Sequence, residues 1–267
     1  LLHEELSSAQ EEMVNACTRL GWTRRFFANF VMPAATGVPA TLGFMSGRPL
    51  TEPPPHAEPP EEQIIHEFRV AHFGQVLPID DVEQVLDMVD SITRMPCGCR
   101  FIHTGKTDKR YCFGLAVDKW GMLGKFPDDA SSLEVLEADE AKEIFRQYDE
   151  EGLMHSIWTG VTPYIVGICN CDRDCGAYKG YIEEGGPPIF FRAEYVCQTD
   201  WDLCTGCKDC MSQCQFGSQF YSSALEKVYI DPGRCYGCGV CRAVCPHDAI
   251  ALIPRQEHPE AAEIWLR

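Results

Sequence analysis

The chain has 267 residues and a formal net charge of −17, from 23 Lys and Arg against 40 Asp and Glu. That length suits two domains, and that charge argues against nucleic-acid or anionic-lipid binding while suiting a basic docking surface on a partner protein. Sixteen cysteines are too sparse for a secreted disulfide scaffold and too many for an ordinary cytosolic fold, so metal or thiol chemistry under reducing conditions is expected.

The chain begins at Leu1 and not at Met, so a preceding segment is expected. Residues 4–20 read as a helix. Ser8 and Glu11 have capping-box spacing, and Met13, Ala16, Cys17 and Leu20 share one face, with Cys17 as a packing residue. Phe26 to Met45 then carries no charged residue and follows Arg24-Arg25. Three readings compete for it. A membrane span would need about this length, but Pro33, Gly37, Pro39 and Gly43 interrupt it. A twin-arginine export signal shares the Arg pair, but no A-x-A cleavage site follows. An extended apolar arm that packs on this protein or a partner fits best, which favours a cytoplasmic chain over export or membrane contact. Pro53, Pro54, Pro55, Pro59 and Pro60 make a stiff polyproline linker.

The globular part is expected from Glu61, with a helix to Phe73. A second helix follows Pro78, capped by Asp80 with Glu83 three on, and Val82, Val85, Leu86, Val89 and Ile92 form its apolar stripe. It feeds into Pro96-Cys97-Gly98-Cys99-Arg100, with Cys112 a short loop later. After a strand at 133–136 comes a helix from Asp139 to Glu151, stopped by Gly152. Runs 155–159 and 164–169 read as a hairpin that delivers Cys169-Asn170-Cys171 and Cys175. Gly180 to Pro188 reads as a loop and Ile189 to Val196 as a strand.

The last quarter carries Cys204-x-x-Cys207-x-x-Cys210-x-x-x-Cys214 and, twenty residues on, Cys235-x-x-Cys238-x-x-Cys241-x-x-x-Cys245-Pro246. A [4Fe–4S] cluster takes four thiolates. A C-x2-C-x2-C turn wraps three round one cluster, and the fourth Cys of each run reaches the other. Cluster I is therefore assigned to Cys204, Cys207, Cys210 and Cys245, and cluster II to Cys235, Cys238, Cys241 and Cys214. Structural zinc prefers two separated pairs to such triplets. At these residues the chain resembles bacterial dicluster ferredoxins. It departs from them at Gln215, where the family usually has Pro, and that departure should loosen the turn beside cluster II.

Six further cysteines, Cys97, Cys99, Cys112, Cys169, Cys171 and Cys175, lie on two loops that could converge. A third [4Fe–4S] cluster held by four of them is the first choice, with zinc or reactive thiols as alternatives. Arg100 could donate to a cluster's sulfurs or pair with a surface carboxylate, in equal measure. His103 and His155 read as polar positions more than ligands, and Cys197 as packing. His247 lies beside cluster I, and Asp200-Trp201-Asp202 forms an acidic, aromatic face near it. Over residues 76–252 the chain resembles a group of dicluster iron–sulfur proteins of anaerobes, on Leu77-Pro78-Ile79, Pro96-Cys97-Gly98-Cys99-Arg100 and Cys169-Asn170-Cys171. That resemblance implies an anaerobic electron carrier.

The expected architecture is α+β. It comprises an N-terminal helix, arm and linker (1–60), an α+β cysteine-rich domain (61–196), a ferredoxin-like βαβ-repeat domain (197–256) and a tail (257–267). No dinucleotide-binding or P-loop fingerprint appears, so no catalytic residue is assigned. The expected function is an electron-wire subunit of an anaerobic oxidoreductase complex. Two other readings are a reductase whose middle-domain cysteines meet substrate, and a redox sensor.

Overall fold

The computed structural model describes residues 74–97, 100, 104, 109–116, 133–161, 164–175, 178–184 and 190–266. The expectations placed on the first helix, apolar arm, polyproline linker and 61–73 helix lie outside these residues, as do those on Cys99 and His103. Helices and strands are mixed throughout.

Seven strands form one sheet: β1 (Gly74–Leu77), β2 (Ile92–Met95), β3 (Cys112–Leu115), β4 (Glu134–Leu136), β5 (Met154–Val161), β6 (Tyr164–Cys171) and β7 (Phe190–Phe191), in the order β4-β2-β3-β6-β5-β1-β7. Only the β1–β7 pair is parallel among them. The expected hairpin is present as β5 and β6, each two or more residues longer than read. Two helices, α1 (Ile79–Met88) and α2 (Ala138–Glu150), pack on each other and on one face of the sheet. Val82 and Leu86 of α1, with Phe145 and Tyr148 of α2, meet Ile92, Phe113, Leu115 and Ile168 there.

Side chains alternate across a strand, and this decides where the cysteines point. Phe113 and Leu115 of β3 and Ile168 of β6 face the helices. Cys112, Cys169 and Cys171 hold the opposite phase. On their side Met154, Trp158, Cys171, Cys175, Tyr178 and Phe190 form a second apolar cluster.

Several elements differ locally from what the sequence suggests. Pro78, not Asp80, occupies the cap position of α1, and no side chain caps it. Asp80 sits in the first turn and instead pairs with Arg242. Ile92 belongs to β2 and not to α1. The chain therefore reaches Cys97 from a strand, because Ile92 and Thr93 are β-branched and pair with β3 on one side and β4 on the other. The run 180–188 is not all loop, since a π-helical turn spans Lys179–Glu183. The 189–196 strand is two strands: β7 ends at Phe191, and Arg192 and Ala193 turn the chain into a different sheet.

The C-terminal module contains β8 (Tyr195–Thr199), α3 (Asp209–Gln213), β9 (Gln219–Ser222), β10 (Lys227–Ile230), α4 (Val240–Ala243) and β11 (Ile250–Pro254). It runs strand–helix–strand twice. β8 pairs antiparallel with β11 and β9 with β10, and α3 lies against α4. The chain after β11 folds back, with Ala261 fully buried against the module.

Candidate metal centres

The two cysteine runs of the C-terminal module occupy matching places. Cys210 lies in α3 and Cys241 in α4. Cys214 receives the backbone N–H of Ser218 and Cys245 that of Ala249, each 3.4 Å from the sulfur. Amide donors aimed at sulfur suit a thiolate, whose charge they stabilise. Cys204, Cys207, Cys210 and Cys245 line one cavity together with His247. Cys207 is exposed, while Cys204 and Cys210 are buried. Burial, and next the proximity of Cys207, Cys245 and Cys204, pushes the Cys210 thiol up to about 11.

The second run is deeper. Cys235 and Cys241 are buried and Cys238 is half-buried. Burial pushes the Cys238 thiol far up, and Cys235 and Cys214 add to this through their charge. At Cys241 a hydrogen bond with Cys197 holds the thiol down, but burial and then the charges of Cys238, Cys235 and Cys214 raise it overall. The described cysteines form no disulfide. Thiols grouped in fours, with amides aimed at sulfur, are the donor set that an iron–sulfur cluster requires. Cys197, read as packing, is buried against this second group. Its N–H lies 3.4 Å from the Cys235 sulfur, and its thiol hydrogen-bonds to Cys235 and Cys241. Its position at a strand end carried no signal of that contact.

The five described cysteines of the middle region also meet. Cys112 and Cys169 stand opposite each other on β3 and β6. The Cys97 thiol hydrogen-bonds to Cys112 and Cys175. The Cys171 thiol hydrogen-bonds to Cys169 and to Cys175, with 3.3 Å between the Cys175 and Cys171 sulfurs. These thiol–thiol hydrogen bonds, more than burial itself, raise Cys97 and Cys171 well above an ordinary thiol. Cys97, Cys171 and Cys175 are almost wholly buried.

Arg100 is buried, at 3% exposure, and not on the surface. Its guanidinium donates to Asp172 at 2.6 Å, lies 3.7 Å from Asp174 and stacks over the Tyr111 ring at 5.0 Å. Desolvation works against the cation, but Asp172, with smaller contributions from Cys97 and Cys175, raises its pKa. Its Nε has no partner among the described residues. His155 points the other way. It is buried beside Phe145 on the helix side, with Nδ1 2.6 Å from the Asn170 side-chain oxygen and Nε2 3.6 Å from Asp149. The geometry brings it to neither cysteine group.

Gln215 joins the two regions. Its amide nitrogen donates to the carbonyls of Gly152 at 2.7 Å and Cys171 at 3.0 Å. The Tyr178 hydroxyl donates to the Gln215 carbonyl, and Arg173 donates to the Cys214 carbonyl at 3.4 Å. Phe216 stacks on Tyr236 at 4.1 Å. Cys238 packs against the same apolar cluster that contains Cys171 and Cys175. Gln215 therefore fastens the turn that was expected to be loose, with an amide that proline lacks. A Gln215→Leu substitution strips two carbonyls of their donor and is expected to cost about 2 kcal/mol, read as a lowered urea midpoint.

Residues 193–249 match the family model described as the 4Fe-4S dicluster domain. The archaeal-type glutamate synthase of Thermotoga maritima is 36% identical over 59 residues, covering 22% of this chain and 12% of that protein. The IorA subunit of the indolepyruvate oxidoreductase of Thermococcus kodakarensis is 42% identical over 105 residues, covering 38% of this chain and 15% of that protein. One subunit of the ion-translocating oxidoreductase complex of Methanosarcina acetivorans is 41% identical over 49 residues, covering 18% of this chain and 18% of that protein. The chain thus spans less than a fifth of the length of these curated relatives. Among the described residues no helix is long and apolar enough to cross a membrane. With eight thiols in two groups of four and this family match over the segment that holds them, the chain carries a ferredoxin-type 4Fe-4S dicluster domain at residues 193–249.

Proposed function

We propose that this protein is an electron-transfer subunit of an oxidoreductase complex, with two [4Fe–4S] clusters in its dicluster domain and a third metal–sulfur centre in the middle region. Each cluster, when bound, supplies one-electron storage at low potential. Cys204, Cys207, Cys210 and Cys245 would hold cluster I, and Cys235, Cys238, Cys241 and Cys214 cluster II. The third set would be drawn from Cys97, Cys99, Cys112, Cys169, Cys171 and Cys175. The division into arm (1–60), cysteine-rich domain (61–196), dicluster domain (197–256) and tail (257–267) belongs to the same proposal.

One observation carries the third centre: five thiols from three separate stretches of chain meet, and three of them, Cys169, Cys171 and Cys175, pack in the same apolar cluster as Cys238. Such convergence gains nothing from packing alone, because valine or alanine would fill the space as well. The layout supports an ordered path from the middle centre through the second run to the first. At the first run Cys207 is exposed, beside Trp201 and Leu203 at 48% and 50% exposure and the exposed carboxylates Asp200, Asp202 and Asp209. Two exposed apolar side chains interleaved with exposed acids along the same stretch suit a redox partner with a basic rim. The relatives named above are an NADPH glutamate synthase and subunits of two oxidoreductases, and a role beside other redox subunits follows that pattern.

Iron, zinc and acid-labile sulfide per chain, measured on protein purified without air, test the reading. About twelve irons and twelve sulfides are expected. About eight irons with one zinc would make the middle centre structural. Fewer than eight would overturn the reading.

A further inference from the structure

Arg255 is fully buried and Arg192 is 5% exposed. Arg255 donates from Nε to the Ala193 carbonyl at 2.7 Å, from Nη2 to Tyr195 at 2.8 Å and Cys235 at 2.9 Å, and from Nη1 to Ile264 at 3.4 Å. Arg192 donates from Nε to the Leu266 carbonyl at 3.0 Å and from Nη1 to Gly233 at 2.6 Å and Cys235 at 3.2 Å. Two buried cations therefore share one acceptor, the carbonyl of the first cysteine in the second run.

Carbonyl dipoles solvate these cations but do not neutralise them. Among the described residues neither guanidinium forms a salt bridge. Asp231 is taken by Arg234 at 3.5 Å and Glu194 by Gln75 at 3.3 Å. The two arginines also repel each other, while both are attracted to the Cys235 sulfur. A buried charge costs several kcal/mol unless an opposite charge offsets it, and here no carboxylate is in contact among the described residues: Asp231 acts on Arg192 and Glu194 on Arg255 only from a distance, each less than the Cys235 sulfur. The first run is built differently. Its equivalent carbonyl, on Cys204, accepts from the half-buried Lys227.

We infer that Arg192 and Arg255 are the internal counter-cations of the cluster held by Cys235, Cys238, Cys241 and Cys214, and that they raise its reduction potential. This rests on the two-cluster assignment above. A cluster with four thiolates carries net negative charge, and an external one-electron donor adds one more unit. A fixed neighbouring cation stabilises the more negative, reduced state. The lack of a contacting carboxylate and the orientation of both side chains on the Cys235 loop are then one fact.

The test is a redox titration of the reconstituted full chain with dithionite, followed by electron paramagnetic resonance, for wild type, Arg192→Gln, Arg255→Gln and Lys227→Gln. Each arginine variant is expected to move one of the two dicluster signals to more negative potential and leave the other, and any signal of the middle centre, in place. Lys227→Gln is expected to move the other signal. If neither signal moves, if both move equally, or if the arginine and lysine variants shift the same signal, the inference is overturned. Wild-type protein with fewer than eight irons would overturn the cluster assignment itself, a separate failure. If the glutamine variants load only one cluster, Arg192→Lys and Arg255→Lys decide. Restored loading supports the charge role, and continued loss with charge retained overturns it.

Discussion

A Gly237→Ala variant is expected to lose cluster II, dropping about four irons per chain. Gly237 has φ +76°, a left-handed conformation that side chains disfavour by roughly 1–2 kcal/mol. The larger obstacle is space: a Cβ there would stand 2.1 Å from the Tyr195 carbonyl oxygen and 3.0 Å from the Ala193 Cβ. Both neighbours belong to the stretch that Arg255 holds in place, so they cannot retreat without releasing a buried guanidinium. The loop must open instead, and Cys235 and Cys238 lie on either side of it. Gly206 is the counterpart in the first run, at φ +71° with a Cβ 2.2 Å from the Glu226 carbonyl. Gly206→Ala should likewise lose four irons, this time from cluster I. Gly217→Ala separates the two causes. Its φ is +63° with nothing within 4 Å of the added carbon, so it should keep a full iron complement and show only the small conformational cost. Iron and sulfide counts on the three variants check this. Full loading of Gly237→Ala would mean that the loop is not clamped as the geometry implies.

The clearest parts of the chain to read were those whose information is local. Eight cysteines in two runs of one spacing form a short-range signature, and the segment that holds them matches the 4Fe-4S dicluster domain model. The β5–β6 hairpin and α2 followed from patterns of the same short range. Strand alternation explains why the middle cysteines could be suspected but not arranged. Cys112, Cys169 and Cys171 lie on one face of the sheet only because β3 and β6 pair in a particular register, and that register is not written in either segment alone. The break at Arg192 had the same cause. A run of Phe, Phe, Tyr and Val reads as one strand, and only the burial of Arg192 beneath Tyr236 shows where the chain turns. Arg255 was illegible for a further reason. Its partners lie up to 62 residues away and are backbone carbonyls, which every residue possesses and none advertises. Gln215 stood out as a departure from a familiar pattern. Its effect is the opposite of the loosening that the pattern suggests, because the acceptors, on Gly152 and Cys171, lie in another part of the chain.

An Arg100→Leu variant is expected to weaken metal retention at the proposed middle centre by roughly 10–100-fold, the usual consequence of losing a residue that supports metal ligands from behind. Arg100 is held between two carboxylates and two thiols. Asp172 and Asp174 lie on one side, while Cys97 and Cys175 are close enough to act on its charge. Leucine fills part of the space but removes the cation. Thiolates gathered there would then face Asp172 and Asp174 with no charge between them. The folding cost should be about 2 kcal/mol, below the roughly 3–5 kcal/mol for breaking a fully buried pair, because Asp172 and Asp174 are 35% and 55% exposed and water takes up their charge. The measurement is metal release to a chelator at fixed time, compared with wild type and Arg100→Lys. Lysine keeps the charge but cannot fork between Asp172 and Asp174, so it should fall between the two. Equal release from all three proteins would make Arg100 a support for the fold alone. Faster release from the leucine variant, with the dicluster irons unchanged, would place its charge at the metal.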